Sequence, residues 1–164
     1  MPEFIKESYR ILKDDTHIYL FCNDYAISEF RKELEKVGFT TKRTLVWLKN
    51  NHTSGDLEGD YGNKTEFILY AQKGRRELNG RRDTNVLQFD RVTNLQHPTE
   101  KPVSLFSYLI GKSTNENDLV LDGFLGGGTT ALSCKQLKRN FIGIEISQKY
   151  VDIANQRLRQ NILL

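Results

Sequence analysis

The last third of the chain carries the pattern that most constrains the fold, because two short apolar runs there flank a glycine-rich turn and a helical segment. Residues 118–122 (D-L-V-L-D) lead to the glycines 126–128, residues 129–137 have helical spacing, and residues 140–144 (N-F-I-G-I) form the second run. Strands this apolar are usually buried on both faces, and strand–helix–strand units join parallel strands. We therefore expect an α/β fold with a mostly parallel sheet and helices on both of its faces.

The remaining residues continue this mixture of helices and strands. Apolar spacing predicts helices over Phe4–Leu12, Asp24–Val37 with Gly38 as the stop, Val103–Ile110 and Gln148–Arg159. Short β-rich runs predict strands over Thr16–Cys22, Thr41–Leu48, Thr65–Gln72 and Asn85–Phe89. The polar, glycine-containing segments 50–64 and 74–83 are predicted loops. A length of 164 residues is enough for one domain, residues 1–164.

Composition narrows the class of protein. Hydrophobic residues make up 38% and charged residues 27%, an ordinary balance for a folded chain. No apolar run approaches the ~20 residues of a membrane span, and the amino terminus has no apolar signal core, so we expect a cytoplasmic protein. Cys22 and Cys134 lie in or beside apolar runs and are interpreted as small buried residues. The three histidines lack partners at zinc spacing, so no metal is expected.

Two acidic residues stand where a nucleoside cofactor is often held. Asp122 ends the first run directly before the turn and could accept hydrogen bonds from an ammonium group, while Glu145 follows the second run, where a carboxylate commonly holds a ribose diol. The spacing Gly126-x-Gly128-x-x-Ala131 also fits a dinucleotide fingerprint, which leaves a nicotinamide cofactor open. Asp122 would repel a pyrophosphate, and no second mononucleotide half follows Glu145, so the pattern favours a methionine-bearing nucleoside.

Four consecutive motifs resemble the amino-methyltransferases of DNA, which methylate adenine at N6 or cytosine at N4. They are H-P-T-E-K-P (97–102), D-G-F-L-G-G-G-T-T (122–130), R-N-F-I-G-I-E-I (139–146), and Tyr150 with Ala154. The close match spans residues 94–159; residues 9–21, 45–50 and 66–74 are similar more loosely, the last two to the family's antiparallel hairpin. The resemblance implies a Rossmann-like, S-adenosylmethionine-dependent methyltransferase fold in which the catalytic motif precedes the cofactor motif.

The resemblance also implies roles for individual residues. Residues that would line the methionine and adenosine pocket are Asp122, Phe124, Gly126 and Gly128. Thr129 and Thr130 would begin the helix that faces the cofactor carboxylate, with Lys101 supplying a positive charge, and Glu145 would hold the ribose hydroxyls. Gly123 stands where the family usually has proline, which makes the turn more flexible.

The catalytic tetrapeptide of the family, [DNS]-P-P-[YFW], has no counterpart in these 164 residues. Their prolines are Pro2, Pro98 and Pro102, and no Pro-Pro pair occurs. We therefore expect a chain truncated at its amino terminus, with no catalytic residue of its own, that binds the cofactor weakly and transfers no methyl group alone. A second chain carrying that loop would restore the activity. The alternatives are a non-catalytic remnant or partner subunit that binds cofactor or DNA and, with less support, a nicotinamide-dependent oxidoreductase.

Candidate contacts to double-stranded DNA lie in two loops, residues 49–64 and 74–96. The second loop is basic, and its residues Arg75, Arg76, Arg81 and Arg82 could neutralise phosphates. Trp47 could stack on a flipped base, although an aromatic residue in a strand is more often part of the core.

Overall fold

The structure is a computed structural model that describes residues 1–52, 58–93, 95 and 97–159. The chain divides into two compact units, Met1–Phe89 and Asp90–Leu164, each with one sheet. The prediction of a single domain, residues 1–164, stays a prediction. No helix in the described ranges is long and apolar enough to cross a membrane.

The first unit is a four-stranded sheet with two helices. Its helices are α1 (Pro2–Ile11) and α2 (Ile27–Val37), and its strands are β1 (Thr16–Cys22), β2 (Thr40–Leu48), β3 (Thr65–Lys73) and β4 (Val86–Gln88). The strand order is β1-β3-β2-β4, with β3 antiparallel to both neighbours and β4 parallel to β2. The predicted hairpin of β2 and β3 is therefore confirmed, while β1 pairs with β3 along the hairpin's other side.

The core of this unit forms where the helices meet the sheet. Its buried apolar residues are Ile5 from α1, Leu34 from α2, Leu20 from β1, Leu69 and Ala71 from β3, and Phe39. Helix α2 ends at Gly38, whose φ of +112° is a left-handed conformation that favours glycine. The predicted stop at Gly38 is confirmed.

The second unit contains the strand–helix–strand motif. Its elements are α3 (Val103–Ser113), β5 (Leu119–Asp122), α4 (Thr129–Gln136), β6 (Asn140–Gly143) and α5 (Gln148–Arg159). Strands β5 and β6 are parallel, with Leu119 opposite Asn140 and Asp122 opposite Gly143. The parallel pairing that the sequence predicted is confirmed here, so the protein combines this parallel pair with the mixed sheet of the first unit.

Helices α3, α4 and α5 bury small and branched side chains against one another in the second unit. The buried residues are Leu105, Leu109, Ile110, Ala131, Ser133, Cys134 and Ala154. Burial raises the pKa of the Cys134 thiol to about 11, which keeps it protonated and inert. Cys22 is half-buried and packs against the core of the first unit.

One face of the β5–β6 pair is apolar and exposed. In the part of the chain that the structure describes, β5 pairs only with β6. Leu119, Leu121, Ile142 and Ile144 alternate along the two strands and therefore share a face, and each exposes between 39% and 58% of its surface. Parallel sheets are normally covered on both faces. We call these four residues the apolar face.

Candidate functional site

The glycine-rich turn between β5 and α4 is shaped by two left-handed glycines. Gly126 has a φ of +52° and Gly128 a φ of +84°, and Gly128 is the residue immediately before α4. The Gly128 N–H donates to the Leu125 carbonyl at 3.0 Å. A Cβ on Gly128 would lie 2.7 Å from the Ala154 Cβ. Helix α5 therefore packs directly on the turn, and both positions require small residues.

Asp122 joins the end of β5 to the turn and to α4. Its Oδ1 accepts the Phe124 N–H at 2.9 Å, and its Oδ2 accepts a short hydrogen bond from the Thr130 hydroxyl. A carboxylate has about four lone-pair sites. Two sites thus remain for a ligand while the side chain is held in one orientation.

Glu145 binds the same turn from the other strand. Its Oε2 accepts the Gly126 N–H at 2.9 Å, and its Oε1 accepts the Ser147 N–H at 2.8 Å. The backbone N–H of Ser147, with further help from those of Gly126 and Ile146 and from His97, holds the pKa of the Glu145 carboxyl below its usual range. Both acids therefore converge on the segment from Phe124 to Gly126, and Glu145 stays ionised at neutral pH.

The segment from His97 to Pro102 lies against this turn and the start of α4. The Thr129 hydroxyl donates to the Lys101 carbonyl at 3.2 Å. The His97 ring lies 3.4 Å from the position of a Cβ on Gly126, and its centroid is 4.2 Å from that of Tyr150 in α5. The motif that precedes α3 is therefore part of the same site as the glycine-rich turn.

A buried ion pair that sequence reasoning missed completes the site. Arg157 Nη1 lies 2.9 Å from Glu100 Oε1 and donates to the Gly127 carbonyl at 2.7 Å. Only 5% of the Glu100 side chain and 12% of the Arg157 side chain is exposed. One signal was available, since Tyr150, Ala154 and Arg157 recur at helical spacing and so share one face of α5.

The structure brings most of the predicted cofactor residues to one place. The buried ones are Gly126, Gly128, Thr129 and Thr130, and the half-buried ones are Lys101, Asp122 and Glu145. Helix α4 begins at Thr129, as predicted. Phe124 differs, because its side chain is exposed beside the turn. The assignment of these residues to a cofactor stays a prediction.

The predicted DNA-contacting residues in the first unit are not brought together. Trp47 is 1% exposed, and its ring N–H donates to the Phe89 carbonyl at 2.7 Å. A base cannot stack on a ring that is enclosed in this way, so Trp47 is a core residue and is withdrawn as a candidate base contact. The burial agrees with the more frequent role of an aromatic residue in a strand, which is to form part of the core.

The loop of residues 49–64 leaves one end of the first sheet and residues 74–85 leave the other, whereas the residues after β4 return to the first end because β4 is parallel to β2. The loop of residues 49–64 connects the end of β2 to the start of antiparallel β3, whereas Arg75 and Arg76 follow the end of β3. Arg75, Arg81 and Arg82 are exposed. Residues 53–57 of the first loop, and residues 94 and 96 of the second, lie outside the described residues.

The titratable side chains in the described ranges form no cluster of three or more His, Cys, Asp or Glu that could hold a metal ion.

Residues 1–156 match the model of a DNA methylase family, the N6/N4 methylases. The chain belongs to this family. It is 32% identical over 181 residues to the type II methyltransferase M.HpaI of Haemophilus parainfluenzae, a match covering 95% of the chain and 57% of that protein. It is 35% identical over 152 residues to the putative methylase YubD of Escherichia coli K12, a match covering 93% of the chain and 66% of that protein. The chain thus spans less than two thirds of these relatives' length.

Solved structures confirm the fold. The crystal structure of an M1.HpyAVI–SAM complex is 34% identical, with a TM-score of 0.85 over 97% of this chain and 82% of that one. The cytosine-N4-specific PvuII DNA methyltransferase has the same fold, with a TM-score of 0.85 at 19% identity. The chain therefore has the Rossmann-like methyltransferase fold that its motifs predicted.

The contact between Gly128 and Ala154 gives a prediction for stability. Gly128→Ala is expected to lower the free energy of unfolding by about 2 kcal/mol, because it adds a left-handed backbone penalty and an overpacked methyl group. The matched control is Gly111→Ala in α3, where nothing lies within 4 Å of the new Cβ; it is expected to stabilise by about 0.5 kcal/mol. Urea denaturation of both variants measures the two effects. Equal effects of the two substitutions would contradict the packing described for α5.

Proposed function

We propose that the protein provides the cofactor-binding part of a site-specific DNA methyltransferase, which uses S-adenosylmethionine to methylate an amino nitrogen of adenine or cytosine. The observation that carries this proposal is the convergence of Asp122 and Glu145 on one glycine-rich turn, at the carboxyl ends of two parallel strands. Open α/β sheets bind ligands at that edge. Family membership supplies the reaction class.

The residues at the turn fit the cofactor. Asp122 would accept from the ammonium of the methionine moiety, and Glu145, which is held ionised, would accept from the ribose hydroxyls. The amino terminus of α4 at Thr129 would face the methionine carboxylate, because helix amino termini favour anions. Lys101 would add a positive charge, and the exposed ring of Phe124 would cover apolar parts of the cofactor.

The bound cofactor would supply an electrophilic methyl group, and the rest of the reaction needs groups that hold the target amine. The family's Pro-Pro loop does this, and the 164 residues contain no Pro-Pro pair. We propose that a segment outside these 164 residues supplies the catalytic loop and covers the apolar face of β5 and β6. An exposed apolar patch on a parallel sheet is a common mark of a protein interface.

Double-stranded DNA is the proposed substrate. Arg75, Arg76, Arg81 and Arg82 would contact phosphates in a sequence-independent way. The loop of residues 49–64 is the proposed base-contacting segment. Its first residue, Lys49, is buried and pairs with Glu66 at 3.5 Å, which anchors the loop where it leaves β2.

Calorimetry distinguishes this function from the nicotinamide alternative. The wild-type chain is expected to bind S-adenosylhomocysteine and not NAD. Asp122→Ala should weaken binding about tenfold or more, because it removes a charged hydrogen-bond acceptor worth about 1.5–3 kcal/mol. Glu116→Gln, which alters an exposed ion pair elsewhere in the second unit, should leave affinity unchanged. Binding of NAD, or an unaltered affinity in Asp122→Ala, would contradict the proposed cofactor.

The arginine loop is tested by the salt dependence of DNA binding. Arg81→Ala with Arg82→Ala should flatten the plot of log affinity against log salt concentration by about one unit for each phosphate that the loop no longer neutralises. The control removes two exposed charges from the helices of the same unit, Lys6→Ala with Lys32→Ala, and is expected to keep the wild-type slope. A slope unaffected by the arginine substitutions would remove this loop from the proposed DNA interface.

The need for a catalytic loop from outside these 164 residues is tested by a labelled methyl-transfer assay. The purified chain, supplied with S-adenosylmethionine and unmethylated DNA, is expected to transfer no label, because the groups that would hold the target amine are missing from its sequence. Turnover by the purified chain would contradict the need for a catalytic loop from outside these residues while leaving the cofactor site intact.

A further inference from the structure

We infer that Glu100 and Arg157 are positioning residues that hold the glycine-rich turn in its cofactor-binding shape. This inference rests on the proposed cofactor site and adds two residues to it. Both side chains are almost fully buried, so neither is placed to contact the ligand directly. Their effect is on the backbone that does.

Arg157 acts on the turn through one carbonyl. Its Nη1 donates to the Gly127 oxygen at 2.7 Å while lying 2.9 Å from Glu100 Oε1. The peptide unit is planar, so a fixed Gly127 oxygen also fixes the direction of the Gly128 N–H. On either side of Gly127 stand the two left-handed glycines, Gly126 and Gly128, which have no side chains to hold their own conformation.

The pair also links three segments that are distant in sequence. Glu100 precedes Lys101, whose carbonyl accepts from Thr129 at 3.2 Å. Gly127 follows Gly126, whose N–H donates to Glu145 at 2.9 Å. Arg157 belongs to α5. The pair therefore holds Lys101, which would neutralise the cofactor carboxylate, in a fixed position relative to the glycine-rich turn, which would face the ribose.

The energetics of buried ion pairs favour a role in positioning the glycine-rich turn over a role in stabilising the whole fold. Burying two charges costs about as much as their attraction returns, so replacing a buried ion pair by apolar residues of similar size is often neutral for stability. Removing one partner alone is costly, because it leaves a buried charge unpaired. Replacement of both residues therefore separates the two roles: it can preserve the fold while releasing the Gly127 carbonyl.

The experiment compares Glu100→Met with Arg157→Met, made together, against the wild type. The double variant is expected to fold with a melting temperature lowered by about 2–8 °C, because the loss of the ion pair is near neutral while the buried Gly127 carbonyl loses its donor. Its affinity for S-adenosylhomocysteine should fall about tenfold or more, as expected for loss of a charged hydrogen bond that shapes the site. Arg157→Lys, which keeps a charge but not the planar fork, should fall between the two.

The matched control is the exposed pair of Glu116 and Lys138, whose atoms lie 3.7 Å apart in the same unit. Glu116→Met with Lys138→Met should change neither melting temperature nor affinity. Amide hydrogen exchange in the ligand-free protein gives an independent readout, because a released turn should exchange the Gly126 and Gly128 amides faster in the Glu100 and Arg157 double variant.

Each outcome decides something different. If the wild type binds no S-adenosylhomocysteine, the proposed cofactor fails, and the amide exchange rates alone decide the positioning role. If the wild type binds and the double variant keeps both wild-type affinity and wild-type exchange, the inference is overturned. A lowered melting temperature with unchanged affinity would show a purely structural pair and would also overturn it. If the double variant does not fold, the affinity of Arg157→Lys is measured instead. An affinity equal to that of the wild type in this folded variant would contradict the inference.

Discussion

The direct packing of α5 on the glycine-rich turn is the constraint on which the rest of the second unit depends. The Gly128 backbone approaches Ala154 so closely that no side chain fits at residue 128. That approach brings Arg157 within reach of the Gly127 carbonyl. It also places Glu145, which precedes α5, where its carboxylate accepts from Gly126. A larger residue at either packing position would move both acidic and basic partners away from the turn.

Local signals explain why so many elements could be predicted from the sequence. Strand β1 and helix α5 have the predicted bounds, because an apolar run and a helical spacing are properties of neighbouring residues. The roles expected for Asp122 and Glu145 also rested on position, at the ends of two strands. Where an element depends only on neighbouring residues, its position could therefore be predicted from the sequence.

Features that depend on distant residues were not predictable in the same way. Glu100 and Arg157 are 57 positions apart, so their pairing arises only when the segment before α3 meets α5. The burial of Trp47 depends on what covers its face of the sheet, which alternation along a strand does not reveal. The order β1-β3-β2-β4 likewise depends on pairings between segments that are far apart in the chain.

The candidate sites of the two units differ in their geometry. In the first unit, the loop of residues 49–64 and the arginine-containing residues 74–85 leave opposite ends of one sheet, so a single flat contact with both would require DNA to follow the sheet's length. In the second unit, hydrogen bonds hold the glycine-rich turn, and the apolar face of β5 and β6 is exposed. Parallel sheets normally have both faces covered. These features agree with the proposed role of the second unit as the cofactor-binding part of a methyltransferase.

The most direct measurement of the central claim is the change in backbone amide chemical shifts as S-adenosylhomocysteine is added to the chain. If the turn and Glu145 form the nucleoside site, the Gly126 amide should shift most, because it donates to the carboxylate that would take the ribose hydroxyls. Thr129 and Ser147 should shift with it, and residues of α1 and α2 should not. Saturable binding with the largest shifts elsewhere, and none at Gly126, would contradict the account.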